Sequence, residues 1–115
     1  MLNKITTITV IFILSIGLSW SQSETELFEQ GNEAYLNEAY DSAFVIYSKV
    51  ESLNYYSTEL FQNIGTAAYK TGDIPNAVYY FEKGLKLNPG NKDLEHNLKL
   101  TNKKVVDKIK DKNKG

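Results

Sequence analysis

A chain of 115 residues with 42% apolar content has room for one small domain and not for two. It contains no cysteine, which excludes disulfides, thiol chemistry and a thiolate metal site. Its net charge is −1 and all its basic residues are lysine, so the bidentate guanidinium contacts typical of nucleic-acid recognition are missing, and no nucleic-acid partner is predicted.

The first element in chain order is an apolar run close to the N-terminus. Lys4 precedes an uncharged stretch, residues 5–23, and Ser21 supplies the small residue of a cleavage site. This order predicts a secretory signal peptide over residues 1–21, with the mature chain beginning at Gln22. An uncleaved anchor is the alternative, because a helix over the apolar run reaches about 24 Å of a ~30 Å hydrocarbon core and local thinning costs little. We expect an exported protein of the periplasm or cell envelope, either free or membrane-anchored through this segment.

From Glu24 onward the apolar residues recur at steps near 3.6, which predicts four amphipathic helices before residue 91. Either Ser57 or Thr58 can cap the third helix. A turn is predicted at Gly72, and Pro75 follows in the first turn of the fourth helix, where a missing N–H breaks no hydrogen bond. The sequence therefore predicts helices joined by tight turns.

The helical pattern repeats after 34 residues. The matching pairs are Gly31 and Gly65, Ala43 and Ala77, and Tyr47 and Phe81. Small residues at the first two pairs let the helices approach closely, and the aromatic pair fills the gap between repeats. A period of about 34 residues is that of the tetratricopeptide repeat, TPR. The chain resembles this family over residues 24–91, including Pro89 at position thirty-two of the second copy.

The resemblance implies a helix-turn-helix repeat at residues 24–57 and a second at residues 58–91, within a unit that spans residues 22–91. Two repeats are few for a stable stack. We also expect glycine at position 84 to weaken the fourth helix by about 1 kcal/mol relative to alanine.

A further helix is predicted over residues 92–112, followed by a disordered tail at residues 113–115. Leu94, Leu98 and Ile109 belong to one largely apolar stripe, but Lys99 stands where a third copy would have glycine. We interpret this segment as a capping helix over the open end of the second repeat. The predicted fold is all-α.

In TPR proteins the first helix of each repeat lines the binding groove. By this resemblance the groove side chains are Phe28, Asn32, Tyr35 and Leu36 in the first repeat, and Gln62, Asn63, Thr66, Tyr69 and Lys70 in the second. Aromatic and amide groups together suit an extended peptide or a partner helix. Tyr35 and Tyr69 also fit a second interpretation, in which both rings pack between helices.

One TPR subfamily grips the C-terminal carboxylate of chaperones with asparagines and lysines. Asn32 and Asn63 match its asparagines, but Phe28 replaces its first lysine. Asp93 and Asn97 stand where its third repeat is basic. The clamp is therefore incomplete, and we do not predict it.

Catalysis is not predicted. His96, with Asp93 and Glu95 beside it, offers an imidazole and two carboxylates, but a catalytic or metal site needs further convergent groups in a cavity. We expect no enzyme activity, no cofactor and no bound metal.

The whole arrangement is similar to the N-terminal region of TPR proteins encoded in bacterial Bat aerotolerance operons. The similarity rests on the signal peptide, residues 27–32, the two repeats and residues 96–103. It implies a non-enzymatic adaptor or scaffold that binds a protein or peptide partner in the cell envelope.

The alternative is a structural unit that forms homo-oligomers by end-to-end stacking of repeats. Residues 22–60 hold eight acidic residues against Lys49 alone, whereas residues 99–114 hold seven lysines against two aspartates. Opposite charges at the two ends favour such stacking. The same lysine run also fits a plain solvated helix face, or attraction to an anionic membrane or acidic partner.

Overall fold

The computed structural model describes residues 23–114, and every regular element within them is an α-helix. The helices are α1 (Glu24–Leu36), α2 (Tyr40–Ser52), α3 (Thr58–Thr71), α4 (Ile74–Leu87) and α5 (Lys92–Lys114). The all-α prediction is confirmed for this part of the chain, while the predicted signal peptide lies outside it. No helix between residues 23 and 114 has the length and apolarity of a membrane span.

The helix boundaries follow local capping chemistry. Ser57, and not Thr58, caps α3: its Oγ accepts a hydrogen bond from the Leu60 backbone N–H at 3.0 Å. Gly72 ends the same helix in the left-handed region, with φ at 86°. Glu38 takes the same place in the first repeat with φ at 60°, although a side chain makes this conformation unfavourable by about 1 kcal/mol.

In each of the two repeats, an aromatic ring of the second helix packs against a glycine of the first helix. The Tyr47 ring covers Gly31, and the Phe81 ring covers Gly65. A Cβ atom added at either glycine would stand 2.6 Å from two carbons of the facing ring. Any side chain there would push the ring away, so glycine at these positions sets the distance between the two helices of a repeat.

The remaining packing residues divide into two groups. Ala43 and Ala77 are fully buried, as their small size allows. Pro89 is exposed in the turn between α4 and α5. It therefore ends α4 and does not fill the core.

A cation surrounded by aromatic rings ties the two repeats together. Lys83 of α4 forms an ion pair with Glu51 of α2 at 2.9 Å. Four rings have centroids 4.9–5.9 Å from its Nζ: Phe61, Tyr79, Tyr80 and Tyr56. Burial opposes the charged form of Lys83, but the hydrogen bond that its ammonium donates to Glu51, together with the neighbouring Tyr79, outweighs this effect and raises the lysine pKa. The cluster joins α2, α3 and α4, which makes the repeats one body.

The last helix packs against α4 and also reaches α3. Leu94 is fully buried, and its Cδ1 lies where a Cβ at Gly84 would approach it to 2.9 Å. Glycine at position 84 therefore makes room for α5, although it weakens α4. Helix α5 continues to Lys114, two residues beyond the end predicted for the capping helix. The first half of the helix, which packs against α4, supports this extension.

Candidate functional site

The first helices of the two repeats and α5 lie side by side, with α3 in the middle. We call the surface made by α1, α3 and α5 the groove face. All nine predicted groove residues belong to α1 or α3. Most are half-buried, whereas Lys70 is exposed and Leu36 is 80% exposed at the end of α1.

Two groove asparagines are joined through a buried tyrosine. The Tyr47 hydroxyl donates to Asn32 Oδ1 at 2.6 Å. Asn63 Nδ2 lies 3.4 Å from both Asn32 Oδ1 and the Tyr47 oxygen. This triad links α1, α2 and α3, so the asparagines hold the repeats together. Within the described chain it leaves one amide donor, Asn32 Nδ2, and one acceptor, Asn63 Oδ1, for a ligand backbone.

Because the triad contains the ionisable Tyr47 hydroxyl, the free energy of unfolding should depend on pH in the alkaline range. Burial raises the pKa of Tyr47 from 10.0 to about 12, and the Asn63 amide partly offsets that rise. Since the folded state holds this proton more tightly than the unfolded state, the stabilisation is complete below pH 10 and is lost as pH approaches 12. We expect a loss of about 2 kcal/mol across this window, measured by urea unfolding at successive pH values. Burial also raises the pKa of Tyr80, which should add to the loss of stability at alkaline pH.

The variant Tyr47→Phe isolates this contribution. It should lower the free energy of unfolding at neutral pH by about 1 kcal/mol, because the bond donated to Asn32 and the longer contact from Asn63 are both lost. Its alkaline decline should also be shallower than that of the wild type. Tyr55→Phe, which removes an exposed hydroxyl, is the matched control. Equal alkaline slopes for wild type and Tyr47→Phe would contradict the assignment.

At the α1 end of the groove face, the aromatic side chains pack on their own repeat. The Phe28 ring centroid lies 5.8 Å from that of Tyr47 and 5.9 Å from that of Tyr55. Tyr35 packs edge-on against Tyr40 at the start of α2, with centroids 5.5 Å apart. Phe28, Tyr35 and Tyr40 are half-buried, so contacts within the first repeat cover part of the Tyr35 ring and leave the rest accessible to a ligand.

The groove face contains a cleft of about 200 Å³ between α3 and α5. Its lining residues are Thr66, Tyr69, Lys70, Phe81, Asn97, Leu100 and Thr101. Lys104 Nζ lies 4.4 Å from the Tyr69 ring centroid. The Thr66 hydroxyl donates to the Gln62 carbonyl at 2.9 Å, so its proton is already used within α3. The cleft thus has an apolar floor with two lysines beside it.

Three of the nine predicted groove residues, Thr66, Tyr69 and Lys70, come together at this cleft. The wall contributed by α5 is not among the predicted groove residues, because the sequence predicts this helix only as a cap. The signal was present: Asn97 and Leu100 follow Asn63 and Thr66 by 34 residues. Helix α5 therefore occupies the place of a third repeat's first helix.

The residues considered for catalysis are not assembled into a site. His96 and Asp93 are exposed on the first turns of α5, and Glu95 pairs with Lys92 at 3.4 Å. Between residues 23 and 114, no three His, Asp or Glu side chains are grouped closely enough to hold a metal ion.

The described chain consists of two stacked helical hairpins and a fifth helix, an architecture like that of helical-repeat proteins. Residues 58–91, which comprise α3, α4 and the turn after them, match the family model of the tetratricopeptide repeat. No curated protein matches the chain. The match supports the TPR resemblance, and repeats of this kind typically serve protein–protein interaction and not catalysis.

Proposed function

We propose that this chain is a non-enzymatic interaction module that binds a segment of a partner protein on the groove face. The observation that carries the proposal is the α3–α5 cleft, where an apolar floor lies beside two amines. Tyr69 and Leu100 can bury an apolar side chain of the ligand. Lys70 and Lys104 favour a neighbouring carboxylate. An acidic segment with an apolar anchor is the ligand that fits.

The asparagine triad extends this site toward α1. The donor Asn32 Nδ2 and the acceptor Asn63 Oδ1 can bond to the carbonyl and N–H groups of an extended peptide. Because the other amide atoms already bond across the repeats, the side chains are held in place before a ligand arrives. Preorganised polar groups lose little entropy on binding.

The setting we propose is the bacterial cell envelope, with the module acting as an adaptor or scaffold like the TPR proteins of Bat aerotolerance operons. Support comes from the signal-peptide pattern of residues 1–21 and from the resemblance of residues 27–32 and 96–103. Export would place the groove face among periplasmic and membrane-bound proteins, whether or not the segment is cleaved.

The test is affinity capture from bacterial envelope extracts with the tagged full chain, compared among variants by quantitative mass spectrometry. Tyr69→Ala should reduce recovery of the partner about tenfold, as expected for a buried aromatic anchor. Lys70→Ala combined with Lys104→Ala should do the same, and the loss should mimic that caused by added salt.

The matched control is Lys86→Ala with Lys110→Ala, which removes the same charge at positions outside the cleft. If the two double-lysine variants recover equally less partner, the attraction is diffuse and electrostatic, and the groove assignment is wrong. Fractionation of the producing cells tests the envelope location. Asn32→Ala is a poorer probe, because loss of its bond to Tyr47 also weakens the fold.

The alternative of end-to-end homo-oligomers is favoured by the charge difference between the acidic first repeat and lysine-rich α5. Light scattering at low and high salt distinguishes it from the adaptor. If the chain is a monomer at both salt concentrations, the homo-oligomer hypothesis is excluded.

A further inference from the structure

A second concavity lies outside the groove face, where α5 runs past the first turn of α4. Its volume is about 530 Å³, and it is lined by Ile74, Pro75, Val78, Val105, Lys108, Ile109 and Lys112. We call it the α4–α5 cleft. Ile109 is 56% exposed, although it belongs to the apolar stripe of α5. An apolar stripe left open to water indicates a surface suited to a partner.

The stacking pattern shows what kind of element fits there. Within residues 23–114, α1 packs against α2 and α3 packs against α4, while α5 has no second helix of its own. Its apolar stripe continues from the buried Leu94 through half-buried Leu98 and Val105 to exposed Ile109. That stripe spans about four helical turns. Its first half is covered by α4, and its open part, Val105 and Ile109, lines the cleft beside Ile74 and Val78. A helix laid against that open part would continue the helix-on-helix packing of the fold.

The lysine-rich surface around the cleft indicates which charge the docked helix should carry. Residues 99–114 hold seven lysines against two aspartates, and Lys108 and Lys112 line the cleft itself. A second copy of α5 would therefore be repelled. Helix α1 of a second copy is acidic, but its one large, clearly exposed apolar side chain, Leu36, stands at its C-terminal end and forms no stripe.

A lipid bilayer fits less well than a helix. Membrane-surface helices insert a protruding apolar face between lipid headgroups. Here the apolar floor is recessed between two helices, with Ile74 buried and Val78 and Val105 half-buried. We propose that the α4–α5 cleft docks an acidic amphipathic helix of a partner protein, independently of the groove face.

The experiment measures fluorescence anisotropy of a labelled designed helix on titration with the full chain. The probe carries leucines at positions i, i+3, i+4 and i+7 and glutamates on its other faces. Saturable binding that weakens with salt is expected. Ile109→Ser and the pair Lys108→Ala with Lys112→Ala should each weaken it about tenfold, with the helical circular dichroism unchanged.

Three controls make the result specific to this cleft. Lys103→Ala with Lys110→Ala removes the same charge from positions that line neither cleft, and should bind the probe as the wild type does. A probe with serines in place of its leucines should not bind. The groove pair Lys70→Ala with Lys104→Ala should also leave binding unchanged, which separates this proposal from the groove ligand.

Four outcomes would overturn the proposal. These are no saturable binding, equal binding of the serine probe, equal weakening by the control pair, and loss through the groove pair instead of the cleft pair. Binding of phosphatidylglycerol vesicles without binding of the probe would assign the surface to a bilayer. A dimer in light scattering that Ile109→Ser dissociates would assign it to a second copy.

Discussion

Replacing Gly65 with valine is expected to lower the free energy of unfolding by about 2–3 kcal/mol, among the largest effects of any single change in this chain. The new Cβ would stand 2.6 Å from Cδ1 and Cε1 of Phe81, which is 2% exposed and has little room to move. Valine is somewhat better than glycine in a helix, but that gain of a few tenths of a kcal/mol is smaller than the strain. Urea unfolding followed by circular dichroism measures the difference.

Gly90→Val is the matched control, because a Cβ at that glycine meets nothing within 4 Å. It should change stability by no more than about 0.5 kcal/mol. Adding Phe81→Leu to Gly65→Val should restore part of the loss, since a smaller side chain relieves the contact. The double variant should then be more stable than the sum of the single effects predicts. Strict additivity would contradict the proposed glycine–ring contact.

Leu94→Ala is expected to remove about 3 kcal/mol, within the range found for buried leucine truncations. Leu94 is the one large apolar side chain of α5 that is fully buried in the described chain, and it fills the space above Gly84. Without it α5 should separate from α4 before the repeats unfold. Hydrogen exchange should then show early loss of protection in residues 92–114, together with weaker binding at the α3–α5 cleft.

Leu100→Ala, at a position that is 44% exposed on the same helix, should have a much smaller effect on stability. A second comparison uses Gly84. In the Leu94→Ala background, Gly84→Ala should raise stability by up to about 1 kcal/mol, because helix propensity improves and the 2.9 Å contact is gone. In the wild type the same change should gain less. Similar losses for Leu94→Ala and Leu100→Ala would show that α5 is not anchored at Leu94.

Sequence reasoning was most successful where a contact depends on helix periodicity and on the size of one residue. Gly65 and Ala77 lie in the helix pair that was expected to contain them, and Ser57 caps α3. The groove was harder to predict. Tyr35 and Tyr69 stand in the same register, yet one packs against Tyr40 and the other lines a cleft. Their neighbours on the next helix differ, and the neighbour decides whether a ring is covered.

By itself the sequence determined the helices, their turns and the 34-residue repeat, because capping, glycine conformation and apolar spacing act within a few residues of the chain. Only the tertiary structure decided that Asn32, Tyr47 and Asn63 share a hydrogen-bonded triad, that Lys83 lies among four rings, and that α5 walls a cleft. These features join groups on different helices, and they depend on the distance and angle at which the helices pack. Packing of that kind is set by all the side chains of an interface together.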